Sequence, residues 1–399
     1  MLPAALRADA AIRDACCLAG DRVMTTAADP NAPLMRRAMR LLRRPFRGRR
    51  PEGTAPAPTS EPFVEPFVFT RLAPNVACRL DEIPSETTRG ERHYLYRHFS
   101  SFWSGAYDVV EIGPFLGGTS RAIALGMLHN PRRRSGTVLR TFDRFRDYFD
   151  VPRLASFLAP MIASGALSAE DFESLGDRAP FLDIFRRIHD SQDYAECLVP
   201  SDDGVPDLPE QESSGHWMTL PAGFVTDSVF IDGCKSWYGT KAFMRRIASA
   251  AIPGSMFLFQ DYGWYTCFWL GAFVQAFRDR FEPIGNVDNT YVFRLERPLT
   301  IAEIEARFPD SPEQCGATRL SELLEARIAE ATERQDDFGR IRHTLHLAAA
   351  LAYVDRKDEA REVLRSAERL QGIDPHRGVI EAAWRAPTYT PTGTVTLGR

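Results

Sequence analysis

The sequence lacks several features that would assign a chain quickly to a class. Its seven cysteines contain no C-x-x-C pair, and this odd number argues for a reducing compartment rather than a disulfide framework. No apolar run approaches the roughly 18 residues of a membrane span, and charged residues interrupt the first 24 positions, where a secretory signal would need an apolar core. We therefore expect a soluble cytoplasmic protein.

Charge and length set further limits. The net charge of −4 gives no overall indication of nucleic-acid binding, and we expect no such partner. The 399 residues, 44% of them hydrophobic, suffice for two or three domains with a substantial core. Residues 1–62 are rich in Arg and Pro and predict a disordered extension. The segment Arg36–Arg50 holds eight arginines and no acid, so weak membrane-surface contact, or nucleic-acid docking, is the alternative there.

The most informative stretch is Tyr107–Thr119, YDVVEIGPFLGGT, which is followed by an apolar run of helical period. Its β-branched residues can be buried on both faces, as a central parallel strand requires. A strand, a glycine-bearing turn and a helix N-terminus form a crevice for a nucleotide-like ligand in a doubly wound sheet. The spacing Gly-x-x-x-Gly-Gly does not match the dinucleotide fingerprint, so a nicotinamide-dependent enzyme is disfavoured.

Several positions around this turn are candidates for ligand contacts. We expect Gly113 and Gly117 to let the backbone approach the ligand, and Glu111 to present its carboxylate at the strand's carboxyl edge. Thr119 is predicted to cap the helix through its hydroxyl. A second β-rich run ends in Asp143, where an acid can accept hydrogen bonds from a ribose diol. The alternative is that Asp143 only caps the following turn.

The middle of the chain predicts the rest of a parallel sheet. Residues 144–195 form a long helical insertion, of the kind that often covers a ligand crevice as a lid. Tyr194–Asp203 is the predicted third strand, with Asp202 or Asp203 near an adenine. Two further buried strands, separated by a helix over 239–251, end respectively in Asp232 and in Gln260–Asp261. Because parallel strands meet at one edge, these side chains should lie near the first two acids.

The motif order EIGPFLGGT, FD, FIDGCKSWY and FQDY resembles that of class I S-adenosylmethionine-dependent O-methyltransferases. The similar groups are the catechol O-methyltransferase-like and the macrocin/TylF-type enzymes, over roughly residues 85–297. The resemblance implies an α/β fold with a doubly wound, Rossmann-like, mostly parallel seven-stranded sheet, and S-adenosylmethionine as cofactor. It also implies cofactor-binding roles for Glu111, Gly113, Phe115, Gly117, Thr119, Asp143 and Asp202.

The resemblance further implies a catalytic pair and a metal site. In catechol-type enzymes the fourth-strand acid binds magnesium and a lysine three residues later removes the hydroxyl proton; Asp232 and Lys235 hold these positions. The second metal position is Asp-Asn or Asp-Asp in the family, but Gln260-Asp261 here. An amide oxygen can ligate Mg²⁺, yet losing a carboxylate lowers the affinity. Metal binding by Asp232, Gln260 and Asp261 therefore stands beside structural or cofactor-positioning roles for the same side chains.

The C-terminal part predicts a separate helical unit over 299–384, with a flexible tail over 385–399. Its helical hairpin, HLAAALAYVDRKDEAREVLRSAERL, resembles a single tetratricopeptide repeat. One repeat cannot bury a continuous core, so we expect it to dock on the main domain or to form a homodimer.

These observations predict a methyltransferase that acts on a hydroxyl of a small-molecule or sugar/glycan-type acceptor. The alternative is a non-catalytic Rossmann-like binding protein, in which Gln260 marks a degenerate site.

Overall fold

The structure is a computed structural model that describes residues 72–398, except 147, 169, 174–179, 214–216, 371 and 392. The predicted disordered extension over residues 1–62, including Arg36–Arg50, lies outside the described residues.

A seven-stranded sheet forms the centre of the fold, in the order β3-β2-β1-β4-β5-β7-β6. Neighbours are parallel from β3 to β5, whereas β7 is antiparallel to both β5 and β6. This arrangement is the doubly wound, mostly parallel sheet of the class I methyltransferase fold, as predicted. The strands are β1 (Asp108–Ile112), β2 (Leu139–Phe142), β3 (Leu198–Ser201), β4 (Thr226–Ile231), β5 (Ala251–Phe259), β6 (Phe281–Val287) and β7 (Thr290–Leu295).

Helices cover both faces of the sheet, because consecutive strand residues face opposite sides. Val109 packs in one apolar cluster and Val110 in the other, and both are fully buried. The α-helices are α1 (Pro74–Asp81), α2 (Arg89–Arg97), α3 (Gly118–His129), α4 (Val151–Phe157), α5 (Ala159–Ala163), α6 (Glu170–Glu173), α7 (Leu182–His189), α8 (Trp237–Ile247), α9 (Phe268–Ala276), α10 (Ile301–Arg307), α11 (Pro312–Cys315), α12 (Ala317–Glu333), α13 (Asp337–Tyr353), α14 (Lys357–Ala367) and α15 (Arg377–Arg385).

The helix before β5 is shorter at its end than the predicted 239–251. It begins at Trp237 because the Ser236 hydroxyl accepts the N–H of Gly239 at 2.9 Å and caps it. It ends at Ile247, and β5 starts at Ala251. The Pro-Gly pair at 253–254 lies inside β5, at an irregularity in its pairing with β4. Proline is tolerated at such a bulge because a ladder donor is not needed there.

The predicted insertion over 144–195 contains α4 to α7 and packs on the turn after β1. The contact is aromatic: the Phe115 ring lies 5.0–5.5 Å, centroid to centroid, from four aromatic rings of the insertion. They belong to Tyr148, Phe149, Phe157 and Phe181. The insertion therefore covers the turn that the sequence assigns to the ligand.

The C-terminal helices share a hydrophobic core with the sheet. Leu320 and Leu324 of α12 belong to the same apolar cluster as Phe268 of α9 and Phe259 of β5. The predicted helical hairpin is present as α13 and α14, with Ala348 fully buried. The unit is thus docked on the sheet domain along a continuous core.

The predicted flexible tail over 385–399 is wrong for the part that the structure describes. A two-stranded hairpin forms there, from β8 (Thr388–Thr390) and β9 (Gly393–Val395). The Tyr389 ring packs edge-on against Trp269 at 5.6 Å, and Arg361 donates to the carbonyl of Leu397 at 2.6 Å. A Thr-rich segment has little apolar pattern of its own, and these anchors come from residues distant in sequence.

Among the described residues, no helix is both long and apolar enough to cross a membrane.

Candidate active site

The carboxyl ends of the parallel strands open into one cavity of about 1030 Å³. Sequence-predicted residues from both halves of the sheet line it together: Gly113, Phe115, Thr119, Asp143, Asp232, Lys235 and Asp261. Four other candidates do not reach its surface, namely Glu111, Gly117, Asp202 and Gln260. The cavity therefore joins the predicted cofactor turn to the predicted catalytic residues.

The two glycines of the turn are required by protein contacts. Gly113 has φ +83°, and a Cβ there would lie 2.5 Å from the backbone nitrogen of Gly233. Gly117 has φ +82°, and a Cβ there would lie 2.0 Å from Nε2 of His189 on α7. Each glycine thus allows another part of the chain to approach. At Gly117 the observed close approach is that of α7, and approach by a ligand stays a prediction.

Glu111 is fully buried and fastens β1 to α3. Its Oε1 accepts the Thr119 hydroxyl and its Oε2 the Ser120 hydroxyl, each at 2.6 Å. Burial raises the pKa of Glu111 to about 7, and the two hydroxyl donors oppose this shift. Glu111 therefore lies near the carboxyl end of β1, where the sequence placed it, but it does not line the cavity, because both carboxylate oxygens are engaged by α3. Thr119 is not the cap either: Gly117 is the N-cap, and Thr119 lies in the first turn.

Asp143 lines the cavity and also holds the local backbone. Its Oδ1 accepts the N–H of Phe145 at 2.8 Å, and its Oδ2 accepts the N–H of Phe115 at 3.3 Å. Burial raises the pKa of Asp143 above its ordinary value, while the backbone donors act in the opposite direction. A carboxylate offers roughly four acceptor directions. The turn-capping role is observed, and acceptor capacity for a ligand remains.

The acids after β3 lie away from the cavity. Asp202 forms an ion pair with Arg146, with an N–O distance of 3.0 Å, and its side chain is 46% exposed. Neither Asp202 nor Asp203 lines the cavity. β3 ends at Ser201, and Asp202 is engaged by an arginine of the insertion, so the adenine contact stays a prediction that this position does not favour.

The polar residues after β4 and β5 converge on the lysine. Lys235 Nζ donates to Asp232 Oδ1 at 2.7 Å, to Asp261 Oδ2 at 2.6 Å and to Gln260 Oε1 at 3.3 Å. The backbone fixes this meeting, since Asp232 N–H bonds to Ile112 and Gln260 N–H bonds to Ile231 of the neighbouring strands. We call Asp232, Lys235, Gln260 and Asp261 the lysine cluster. The sequence predicted that its members would meet.

The lysine cluster does not fit Mg²⁺ as it stands. Magnesium binds oxygen at about 2.0–2.1 Å in near-octahedral geometry, so it would need the space that the ammonium of Lys235 holds among the same three oxygens. Within the described part of the chain, no group of three His, Cys, Asp or Glu side chains is arranged to hold a metal. The predicted metal ligands Asp232, Gln260 and Asp261 bind a cation of the chain itself.

The part of the cavity lining next to the lysine cluster comes largely from residues that the sequence did not indicate. Among the aromatic residues that follow β5, Trp264 lines the cavity. Tyr262 does not, because it is buried against Tyr291 and His343. The missed lining residues are Trp237, Trp269, Asp310–Gln314, Tyr353 and Tyr389–Pro391. Most of them lie far along the chain, where no motif marks them.

Neither His189 nor His129 lines the cavity. His189 Nε2 donates to the carbonyl of Leu116 at 3.1 Å, and its Nδ1 accepts the Tyr194 hydroxyl at 3.0 Å. Burial lowers the pKa of His189 to about 3, so it is a neutral structural group. His129 pairs with Tyr96 at the surface, and His216 is outside the described residues.

No protein-family model matches this chain, and no curated protein does either. Solved structures similar to it include the O-methyltransferase NovP, at 15% identity, TM-score 0.37, over 54% of this chain and 83% of that one. An O-methyltransferase from Bacillus cereus in complex with SAH matches at 12% identity and a TM-score of 0.30, over 56% of this chain and 88% of that one. The SAH-bound methyltransferase PaMTH1 of Podospora anserina matches at 11% identity and a TM-score of 0.31, over 68% of this chain and 100% of that one. The fold assignment rests on the strand order, and no activity follows from these values.

Proposed function

We propose that this protein is an S-adenosylmethionine-dependent methyltransferase that acts on a hydroxyl of a small-molecule or sugar-type acceptor. One observation carries the proposal. A single cavity connects the glycine turn after β1 and the Asp143 carboxylate to the lysine cluster. A binding crevice and a side chain able to accept a proton thus share one cavity, at the edge where open α/β sheets bind their ligands.

The cavity is large enough for two molecules. Its volume of about 1030 Å³ lies at the upper end of the roughly 300–1,000 Å³ typical of small-molecule sites. Gly113, Phe115 and Thr119 would hold the methionine end of the cofactor, and Asp143 would accept from its ribose hydroxyls. When bound, S-adenosylmethionine supplies a methyl group on a positively charged sulfur. Much of the rate then depends on how the chain holds the acceptor oxygen in line with that group.

Lys235 is the base that the family resemblance implies, but its surroundings favour another assignment. Two carboxylates at hydrogen-bond distance stabilise the charged ammonium, whereas a base must be neutral. Asp232 lines the same cavity and is the proton acceptor in this proposal. S-adenosylmethionine would supply the methyl group and leave as S-adenosylhomocysteine, and Asp232 would take the proton of the acceptor hydroxyl. The ammonium of Lys235 stabilises the charge that develops on oxygen.

Aromatic walls favour an acceptor with a flat or ring-shaped apolar face. Trp264, Trp269, Tyr353 and Tyr389 line the cavity on the side of the lysine cluster and the C-terminal unit. Such rings can stack on a sugar or an aromatic acceptor while their polar groups remain hydrogen-bonded. The Trp269 indole donates to the carbonyl of Cys234 at 3.1 Å, which holds that ring in place.

The first experiment is a calorimetric titration of the full chain with S-adenosylhomocysteine. We expect micromolar binding that weakens at least tenfold in Asp143→Ala. The matched control is Asp203→Ala, which removes an acid near the end of β3 outside the cavity and should leave affinity unchanged. No binding by the wild type would overturn the proposal.

A second experiment separates a catalyst from a binding protein. S-adenosylmethionine is incubated with the enzyme and a panel of sugars and phenols, and release of S-adenosylhomocysteine is followed. We expect turnover with at least one hydroxyl acceptor and a large drop in kcat, with unchanged S-adenosylhomocysteine affinity, in Asp232→Asn. Cofactor binding without turnover on any acceptor would favour the non-catalytic alternative.

A further inference from the structure

The geometry points to Lys235 as a built-in cation: its ammonium takes the place of a divalent metal between β4 and β5. The site then positions the acceptor oxygen without a metal ion. The catalytic meaning of this inference rests on the proposed function, whereas the claim about ion binding can be tested without any turnover.

The side-chain oxygens around Nζ of Lys235 suit an ammonium. A lysine ammonium has three N–H donors and no acceptor, and three side-chain oxygens lie within 2.6–3.3 Å of Nζ. They come from the two strand ends, so the sheet itself fixes their spacing. The bond to Gln260 is the longest at 3.3 Å, and it is the one that an acceptor oxygen can replace most easily.

The charges of the lysine cluster also favour an ammonium over a divalent metal ion. The cluster combines the carboxylates of Asp232 and Asp261 with the neutral amide of Gln260, and the side chain of Asp261 is only 2% exposed. A buried carboxylate requires a nearby positive charge, which Lys235 supplies. A divalent ion would have to displace this ammonium from both carboxylates and shed tightly held water as well.

The C-terminal hairpin holds the lysine backbone in place. The Tyr389 hydroxyl donates to the backbone carbonyl of Lys235 at 3.1 Å, and the N–H of Lys235 bonds to the carbonyl of Gly233 at 3.1 Å. The lysine is therefore fixed at both backbone polar groups. This anchoring limits how far Nζ can move away from the two carboxylates.

The test uses Mn²⁺ as probe, with free Mn²⁺ measured by electron paramagnetic resonance in the presence of the full-length protein. We expect no saturable site in the wild type. Lys235→Met removes the ammonium and leaves three convergent oxygens, so its Mn²⁺ affinity should rise at least tenfold. The melting temperature of Lys235→Met should then increase with added Mn²⁺, because binding to the native state stabilises it. The double variant that combines Lys235→Met with Asp261→Asn should lose this gain in Mn²⁺ affinity.

Lys241→Met is the matched control. Lys241 Nζ also lies between two carboxylates, 2.7 Å from Glu305 and 2.6 Å from Asp310. Those carboxylates are 44% and 42% exposed and are not fixed by the ends of β4 and β5. This variant should gain no Mn²⁺ site.

Two results would overturn the inference. One is saturable Mn²⁺ binding by the wild type that disappears in Asp261→Asn. The other is a folded Lys235→Met that gains no affinity; if that variant does not fold, Lys235→Gln replaces it and the wild-type titration still decides. Titration of the same samples with S-adenosylhomocysteine tests the proposed function separately. The residues proposed to bind the cofactor follow β1 and β2, whereas the lysine cluster follows β4 and β5.

Discussion

The Tyr389 hydroxyl and the Lys235 carbonyl are joined by a 3.1 Å hydrogen bond that spans 154 residues of sequence. This contact ties the last hairpin of the chain to the residue at the centre of the candidate active site. The Tyr389 ring also packs on Trp269, which lines the same cavity. The hairpin of β8 and β9 is therefore part of the cavity wall and supports the backbone of Lys235.

Removing the Tyr389 hydroxyl should have a small effect, and removing the ring a larger one. Tyr389→Phe loses one hydrogen bond and should lower the unfolding free energy by about 1 kcal/mol. Tyr389→Ala also loses the contact with Trp269 and should cost roughly 3 kcal/mol. Chemical denaturation measures both. S-adenosylhomocysteine affinity should change less than twofold in either variant, and equal losses of stability would contradict the ring contact.

Gly117→Ala should destabilise the protein through two separate effects. The residue has φ +82°, which costs an alanine about 1–2 kcal/mol, and the new Cβ would lie 2.0 Å from Nε2 of His189. Gly136→Ala is the control, since φ there is +83° and no atom lies within 4 Å of the new Cβ. Denaturation should show a clearly larger loss at Gly117. Equal losses would mean that α7 moves away from the turn without cost.

Glu111 should make the protein less stable as pH rises. Its folded pKa of about 7 lies above the ordinary 4.5 because it is buried, so the folded state binds the proton more tightly. Glu111 therefore contributes about 3 kcal/mol to the free energy of unfolding below about pH 4.5, and this contribution is lost as pH rises through about 7. Glu111→Gln should remove this contribution from the pH dependence of unfolding.

Glu91 provides an internal comparison for that experiment. Its pKa is also raised to about 7, first by burial and then by Asp288. Glu91→Gln should therefore remove a similar portion of the slope, and the double variant should remove both. An unchanged slope in Glu111→Gln would show that the Thr119 and Ser120 hydroxyls keep Glu111 ionised in the folded protein.

His346 should produce the opposite pH dependence beneath the C-terminal helices. Its Nε2 donates to the carbonyl of Trp264 at 2.8 Å, and burial lowers its pKa to about 4. The folded state favours the neutral form of His346. Its contribution to the free energy of unfolding is therefore fully present above about pH 6.5 and is lost as pH falls through about 4. His346→Gln keeps a donor toward Trp264 and should make acid unfolding less steep.

The surroundings of His346 strengthen this expectation. Arg342 and Arg327 also lower its pKa, and the neighbouring His343, at 5.6 Å ring to ring, is buried with a pKa well below its ordinary value. Part of the acid slope should therefore remain in His346→Gln. An acid slope in His346→Gln equal to that of the wild type would contradict this expectation.

The central sheet could be predicted because the apolar pattern of each strand lies within a short segment of the sequence. The β-branched residues of β1 and the apolar residues of β4 and β5 are buried on both faces, which is the pattern of inner parallel strands. The same reasoning placed Asp143, Asp232 and Asp261 together, since parallel strands end at one edge. Helix limits were less accurate, because caps such as Ser236 decide them.

The roles of individual side chains could not be predicted in the same way. Glu111 and Lys235 both lie where the sequence placed them, yet one is engaged by two hydroxyls of α3 and the other by three oxygens of the strand ends. Which partner a carboxylate or an ammonium finds depends on distances across elements, and spacing along the chain does not contain them.

The sequence by itself determined the sheet, the glycine turn and the set of polar residues at the strand ends, because hydrophobic period and strand polarity are properties of short segments. Only the tertiary structure decided that α7 covers Gly117, that the Lys235 ammonium lies between Asp232 and Asp261, and that Tyr389 bonds to the Lys235 carbonyl. The physical reason is that these contacts join residues far apart in sequence. Their formation depends on the packing of the insertion and the C-terminal unit onto the sheet.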